Sequence, residues 1–267
     1  MTTHDSLQPI ASTSGSSPTL AHDSNLGFPV DDPVWQEFLV HHGIDAVGYH
    51  DMAELTVDLR RSVKAFAYLP AANYFYLRDD PSYEPVASAL YAADQTPRLS
   101  SLLVVAMSSD ITALNQLRGR SLGYAHRYCT TSYFAPALLL LENGDAVADY
   151  FATLIQVPPY QGQIDSVVAG RVDATMVEED VWRKTPANAE ATRVIARRDD
   201  LPTPLVIVGA NSGDELKKDL KQVLFFHRPR ITPTTLFAGF VTYQRHQVEG
   251  FFAASERALF GTGNFST

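Results

Sequence analysis

Short apolar runs with a two-residue period alternate along this chain with stretches whose apolar side chains recur every three or four residues. That is the rhythm of strands joined by crossover helices in an α/β sheet. A weak first strand is expected at residues 9–12, followed by a polar loop. Asp31-Asp32-Pro33 opens a helix that carries Val34, Phe38 and Leu39 on one face and is closed by Gly43. Residues 44–49 read as a short strand and residues 51–61 as a helix, with Leu55 and Leu59 one turn apart. Residues 63–69 form the next strand, stopped by Pro70. Residues 83–91 and 101–107 look like longer strands, the second apolar on both faces at Leu102, Leu103, Val104 and Val105.

The rhythm restarts after Ile111. Strands are expected at residues 121–126, 154–157, 172–177, 192–196 and 205–208. Helices are expected at residues 133–142, stopped by Asn143-Gly144, at 163–169, stopped by Gly170, and near 213–225 and 244–259. No repeat of solenoid or propeller length is visible. Two chain crossings, near residues 108–111 and 197–202, divide the pattern. They predict an N-terminal segment with the first strand (1–30), a discontinuous first α/β lobe (31–108 and 202–267), and a second lobe (109–201) inserted into it.

Composition narrows the possible roles. With 267 residues, 45% of them hydrophobic and 19% charged, the chain can build a large core. Its net charge of −9 argues against a nucleic-acid partner, which needs a basic face. It leaves open a small anion held by backbone N–H groups. A single cysteine, Cys129, excludes an internal disulfide and a cysteine zinc cage. The N-terminus has no basic and then apolar export segment, and no apolar run is long enough to span a bilayer. As written, the chain reads as cytoplasmic, and as periplasmic or extracellular only if a leader has been removed. No Gly-x-Gly-x-x-Gly, Walker loop, Gly-x-Ser-x-Gly elbow or His-Glu-x-x-His is present, so no cofactor is expected.

Four segments, in order, resemble those of periplasmic solute-binding proteins, and of their phosphonate-binding branch in particular. Leu69-Pro70-Ala71-Ala72-Asn73-Tyr74 is similar to that branch's Gly-Pro-x-x-Tyr loop. Residues 109–120, ending Leu117-Arg118-Gly119-Arg120, resemble its crossing into the second lobe. Cys129-Thr130-Thr131-Ser132, with Pro136 beyond, falls where the branch carries Ser-Thr-Ser-Gly and then a Pro. Residues 163–169 followed by Gly170-Arg171-Val172-Asp173-Ala174 resemble its helix, Gly, basic, Val-Asp-Ala unit. The resemblance runs from about Asp32 to Pro229. It implies a class II periplasmic-binding-protein fold: two α/β lobes closing on a small anionic ligand, with an ABC permease as partner if the protein is exported. It also places Pro158-Pro159-Tyr160 where the family's next ligand loop offers Gly-Ser-His, which makes Tyr160 a ligand candidate. Residues 61–64 keep little of the family's motif before the Gly-Pro loop.

Each candidate side chain has a functional and a plain reading. Thr130, Thr131 and Ser132 precede a helix, where free N–H groups and hydroxyls can cradle an anion; the same residues are common N-caps. Cys129, with His126 and Arg127 just before it, is a candidate nucleophile or a small buried thiol. Glu178, Glu179 and Asp180 follow the strand expected at residues 172–177, where the crevice is expected. A carboxylate there can hold a ligand amine, act as a general base, or simply begin a solvated helix. Tyr49 and Tyr74, each after a first-lobe strand, can wall a ligand or pack. His41-His42 hints at a metal, but adjacent helical residues diverge and no third ligand has the right spacing, so no metal site is expected. A ligand-binding protein is the leading reading. A cytoplasmic lyase or biosynthetic enzyme on the same fold, with Cys129, His126 or Glu178 catalytic, is the alternative, and an effector-sensing module ranks last.

Overall fold

The computed structural model describes residues 17–232 and 235–261. The strand expected at residues 9–12 lies outside them. The first described strand is β1 (Thr19–Asp23), which falls in what read as a polar loop. It is followed by α1 (Pro33–His41), β2 (Asp45–Tyr49), α2 (Met52–Arg61), β3 (Phe66–Leu69), α3 (Ala71–Phe75) and β4 (Tyr83–Tyr91). Both long helices of this set start on an aspartate. Asp32 accepts from the Val34 N–H at 2.9 Å and Asp51 from the Ala53 N–H at 2.7 Å.

The chain continues with β5 (Arg98–Ala106), a 3₁₀ turn (Leu114–Leu117) and β6 (Ser121–Tyr124). One turn of π-helix (Thr130–Phe134) then leads into α4 (Ala135–Glu142). Next come α5 (Val147–Tyr150), β7 (Thr153–Gln156), α6 (Gln161–Val168), β8 (Ala174–Glu178), α7 (Glu179–Lys184), α8 (Ala187–Ala191) and β9 (Thr192–Pro202). The chain closes with β10 (Leu205–Gly209), α9 (Asp214–Phe226), β11 (Phe237–Thr242) and α10 (Arg245–Phe260).

The strands form two sheets, ordered β11-β4-β10-β3-β1-β2 and β7-β6-β8-β5-β9. β1 pairs in parallel with β2 and β3, and β6 in parallel with β7 and β8. β1 therefore sits inside its sheet, and four of its five side chains are buried. A strand buried on both faces need not alternate, which is why the period-two pattern did not mark it. Gly48 of β2 lies against the end of β1: a Cβ there would stand 2.3 Å from Ser24 Oγ and 3.1 Å from the His22 ring, so a larger residue requires those side chains to shift.

The expected crossings need correcting. β5 pairs with β8 and β9, at Leu103↔Met176 and Leu103↔Ala196, so residues 98–106 belong to the second sheet rather than the first lobe. Leu102–Val105 is apolar on both faces, and such a run does not reveal which sheet receives it. The chain passes between sheets at residues 92–97 and returns at 203–204. The return passage is stitched to the end of β4, just before the first passage: Ala89 N–H donates to Pro204 O at 2.9 Å, and Thr203 Oγ1 donates to Ala89 O at 2.7 Å.

Behind these passages α10, from the end of the chain, packs on α4 of the second lobe. Its Phe251 lies 5.6 Å from the Phe134 ring and its Phe252 lies 5.6 Å from Phe75. Phe75 and Phe134 themselves meet edge to face at 5.4 Å, joining the first lobe to the second. Phe134 is fully buried among them. Phe134→Ala should cost about 3–5 kcal/mol of stability, read as a lower urea midpoint.

Candidate functional site

A cavity of about 260 Å³ opens between the two sheets. Its walls are the carboxyl ends of parallel strands, where an open α/β sheet exposes its crevice. The first sheet contributes Asp23 from the end of β1, His50 and Asp51 after β2, and Pro70 after β3. The second contributes Ala125 and His126 after β6, Gln156 at the end of β7, and Glu178 at the end of β8. Cys129, Thr130, Thr131, Tyr160 and Gln163 complete the second-lobe wall.

Three hydrogen bonds tie the lobes around this space. Tyr160 OH donates to Asn25 O at 3.2 Å, Tyr91 OH donates to Glu178 Oε1 at 3.0 Å, and Ala72 N–H reaches Thr130 Oγ1 at 3.4 Å. Tyr160 holds a left-handed backbone, φ 56°, that is uncommon for a side chain of its size. Its N–H donates to Gln163 Oε1 at 3.1 Å, while the Gln163 amide is anchored on Thr175 Oγ1 and Met176 O. Strain held by buried bonds at a cavity wall is a mark of a positioned side chain.

The electrostatics of the cavity are unusual for an anion site. No lysine or arginine lines it, whereas Asp23, Asp51 and Glu178 do. Asp23 and Glu178 are nearly inaccessible. Burial pushes the Asp23 carboxyl up to about 6, partly offset by the two hydrogen bonds it accepts from Asn25. Burial likewise pushes Glu178 up to about 7, with the Tyr91 hydroxyl working the other way. His126 moves in the opposite sense: burial lowers it to about 4, so its imidazole is neutral near pH 7. Its Nδ1 is buried with no hydrogen-bond partner among the described residues.

The hydroxyl loop divides its duties. Ser132 lies off the cavity lining, its Oγ accepting from Ala125 N–H at 3.0 Å, which corrects its expected place on the ligand wall. Cys129 Sγ accepts from Ser132 N–H at 3.3 Å and so caps the π-turn. The backbone N–H groups of Thr130 and Thr131 donate to no other protein group among the described residues. Both threonines face the cavity.

Two expected wall residues lie elsewhere. The Tyr49 hydroxyl bonds Asp58, and Tyr74 packs on Phe252 with its hydroxyl pushed up to about 12 by burial. A short strand end or loop turns its side chain outward or inward by register, which spacing alone did not decide. Arg127 is exposed and its guanidinium bonds Tyr124, and no hydrogen bond joins it to Cys129 among the described residues. Glu179 and Asp180 pair with Arg183, Arg197 and Lys184 at the surface, the plain reading for both. Trp182 donates to Thr192 Oγ1 at 2.9 Å and packs rather than covering the cavity. No hydrogen bond joins the His126 and Cys129 side chains among the described residues; Cys129 Sγ instead contacts Thr131 Oγ1 at 3.4 Å and the Ser132 N–H.

Comparison with protein families matches residues 42–230 to the periplasmic substrate-binding protein of phosphonate ABC transporters. The chain belongs to this phosphonate-binding family. Solved structures share its fold. The Xanthomonas citri protein XAC2383, bound to ATP, superposes with a TM-score of 0.75 at 19% identity, covering 91% of this chain and 98% of that one. PhnD1 from Prochlorococcus marinus, in complex with methylphosphonate, gives 0.72 at 12% identity, covering 90% and 97%. The Candida albicans CA3427 gene product, described as having the generic periplasmic binding protein fold, gives 0.63 at 11%, covering 94% and 92%. No curated protein matches the chain significantly. The two-lobed periplasmic-binding-protein fold expected from the sequence is thus the fold found. The phosphonate-binding family is a periplasmic one, and nothing here supports the cytoplasmic reading of the N-terminus. No helix among the described residues is long and apolar enough to cross a membrane.

Sequence reasoning missed Asp23 and Asn25. Asp23 was hidden with β1. The available signal was an acid ending the apolar Leu20-Ala21 run just before a Ser-Asn-Leu-Gly turn. Among the described residues one cluster has metal-ligand donors within reach of one another, His41, His42 and Asp219, and it shares no residue with this cavity.

Raised carboxyl values have a definite sign in stability. Glu178 and Asp23 bind protons more tightly folded than unfolded, so their contribution is full at low pH and is lost as pH rises through about 6 to 7. His126, lowered, acts oppositely: its contribution is present above its unfolded value of 6.5 and lost as pH falls towards about 4. Chemical denaturation from about pH 5 to 8 should show the ligand-free protein losing stability, and Glu178→Gln should flatten that slope.

Proposed function

We propose that this protein is the substrate-binding component of an ABC importer for a small phosphonate- or sulfonate-type anion that also carries an amine. Membership of the phosphonate-binding family supports the anion and a permease partner outside the cytoplasm. One observation carries the amine: the two most buried carboxylates of the cavity, Asp23 and Glu178, face it with no lysine or arginine among its lining residues. An anion alone would enter beside two acids. An ammonium group on the same ligand would instead give both carboxylates a charge partner in a dry site.

In this reading the anionic head sits at the π-turn. The free N–H groups of Thr130 and Thr131 donate to its oxygens, their hydroxyls rotate to suit, and the neutral His126 offers its unpartnered Nδ1. The amine points towards Glu178 and Asp23, which ionise as it arrives. Tyr160 and the Asn25 loop, joined across the cleft, keep water out. Lobe closure then follows from contacts the ligand makes with both lobes at once. Nothing favours the enzyme alternative, and the Cys129 thiol is engaged in capping the π-turn.

Calorimetry with matched ligands tests this. 2-Aminoethylphosphonate should bind well ahead of propylphosphonate, its near-isostere without charge on the far end. Thr131→Val should weaken either by about 1–3 kcal/mol, roughly 5–150-fold. Glu178→Gln should erase most of the preference for the amine while leaving propylphosphonate little changed. Equal affinities for the two ligands would overturn the amine assignment. Failure of every phosphonate and sulfonate to bind would overturn the anion site itself.

A further inference from the structure

On the outer face of the first lobe, α1 and α9 enclose a groove lined by His41, His42, Asp219 and His227. We propose that His41, His42 and Asp219 bind a zinc-class divalent cation that fastens α1 to α9, with water in the fourth position. The three residues present donor atoms that all lie within 4.8 Å of one another. His42 Nε2 and Asp219 Oδ2 are 3.2 Å apart. Two ligands of one tetrahedral zinc, each about 2.0–2.1 Å from it, stand roughly 3.3 Å apart, so this pair already has the spacing of a coordination edge. His42 Nε2 is buried and has no hydrogen-bond partner among the described residues, so this nitrogen is not committed to another protein group.

Adjacent histidines inside a helix would diverge by a third of a turn. These two are at its end. His41 is the last residue of α1, and His42 is the cap with φ −92° and ψ 2°, outside helical geometry. The rings consequently meet edge to face with centroids 4.8 Å apart. The third ligand comes from α9, far along the chain, which is why sequence spacing gave no sign of it. The α1 C-terminus adds the negative end of the helix dipole, and a cation there is favoured. Nearby, His227 Nε2 contacts Asp32 Oδ1 at 2.9 Å, a second imidazole–carboxylate tie between the same two helices. Two imidazoles and one carboxylate suit zinc, or nickel and copper, over calcium or magnesium, which prefer all-oxygen shells.

The full chain without a histidine tag, titrated with zinc chloride in a non-chelating buffer, should bind one equivalent in the micromolar range or tighter. Cobalt in its place should give the intense visible absorption of a four-coordinate site. Zinc should raise Tm in the unmodified protein. His42→Ala and Asp219→Asn should each lower affinity by at least about tenfold, since even outer-shell changes cost about 10–100-fold, and should abolish the Tm shift. Asp219 is a third exposed, so Asp219→Asn keeps the fold. His126→Ala, in the ligand cavity, should bind zinc like the parent protein. Absence of stoichiometric binding, undiminished binding in Asp219→Asn, or loss of binding in His126→Ala would each overturn the site.

Discussion

Two carboxylates, Asp23 and Glu178, buried at the strand ends on opposite sides of one cavity that no lysine or arginine lines, are the constraint on which the rest of the site turns. Taking a charged carboxylate out of water is costly unless it is paired, so each shifts towards its neutral form. The protein tolerates this because each acid has a local partner. Asn25 donates twice to Asp23, and Tyr91 donates to Glu178. Those bonds hold the carboxylates in place without supplying a countercharge, which is the part the proposed ligand amine would play.

The scaffold makes such a placement possible. Parallel β1–β3 and β6–β8 bring six strand ends to one crevice, and the loops after them supply nearly all its polar groups. The stitched return passage and an aromatic cluster of Phe75, Phe134, Phe251 and Phe252 fix the two lobes from behind. The hydroxyl loop shows how one segment serves both structure and chemistry. Cys129 and Ser132 are spent on capping and on the Ala125 N–H, and that fixes Thr130 and Thr131 with their own N–H groups free.

Much of the fold was legible because its signals are local. The helices opened by Asp32 and Asp51 and the run at Leu102–Val105 follow from capping and periodicity, and the family resemblance ordered them. What was not legible is long-range. β1, buried on both faces, carries no alternation, and with it Asp23 disappeared. β5 fitted either sheet until its partners β8 and β9 were known. In the cleft, Cys129, Thr130, Thr131, His126, Tyr160 and Glu178 come together as lining residues, whereas Tyr49, Tyr74 and Ser132 face other partners. Helix-start and strand-end positions pointed to most of the first group, and the family resemblance to Tyr160; strand-end position also pointed to Tyr49 and Tyr74, whose side-chain direction depends on neighbours distant in sequence.

Proton counting tests the central claim most directly. Calorimetric titration of an aminoalkyl anion near pH 6.5, repeated in buffers of different ionisation enthalpy and corrected for the ligand's own ionisation, gives the protons exchanged on binding. Asp23 and Glu178 are partly protonated at that pH in the empty cavity and should ionise against the ammonium group. The account predicts net proton release, of the order of one per ligand, that disappears in the Asp23→Asn, Glu178→Gln double variant. Binding with no proton exchange, or with uptake, would contradict it.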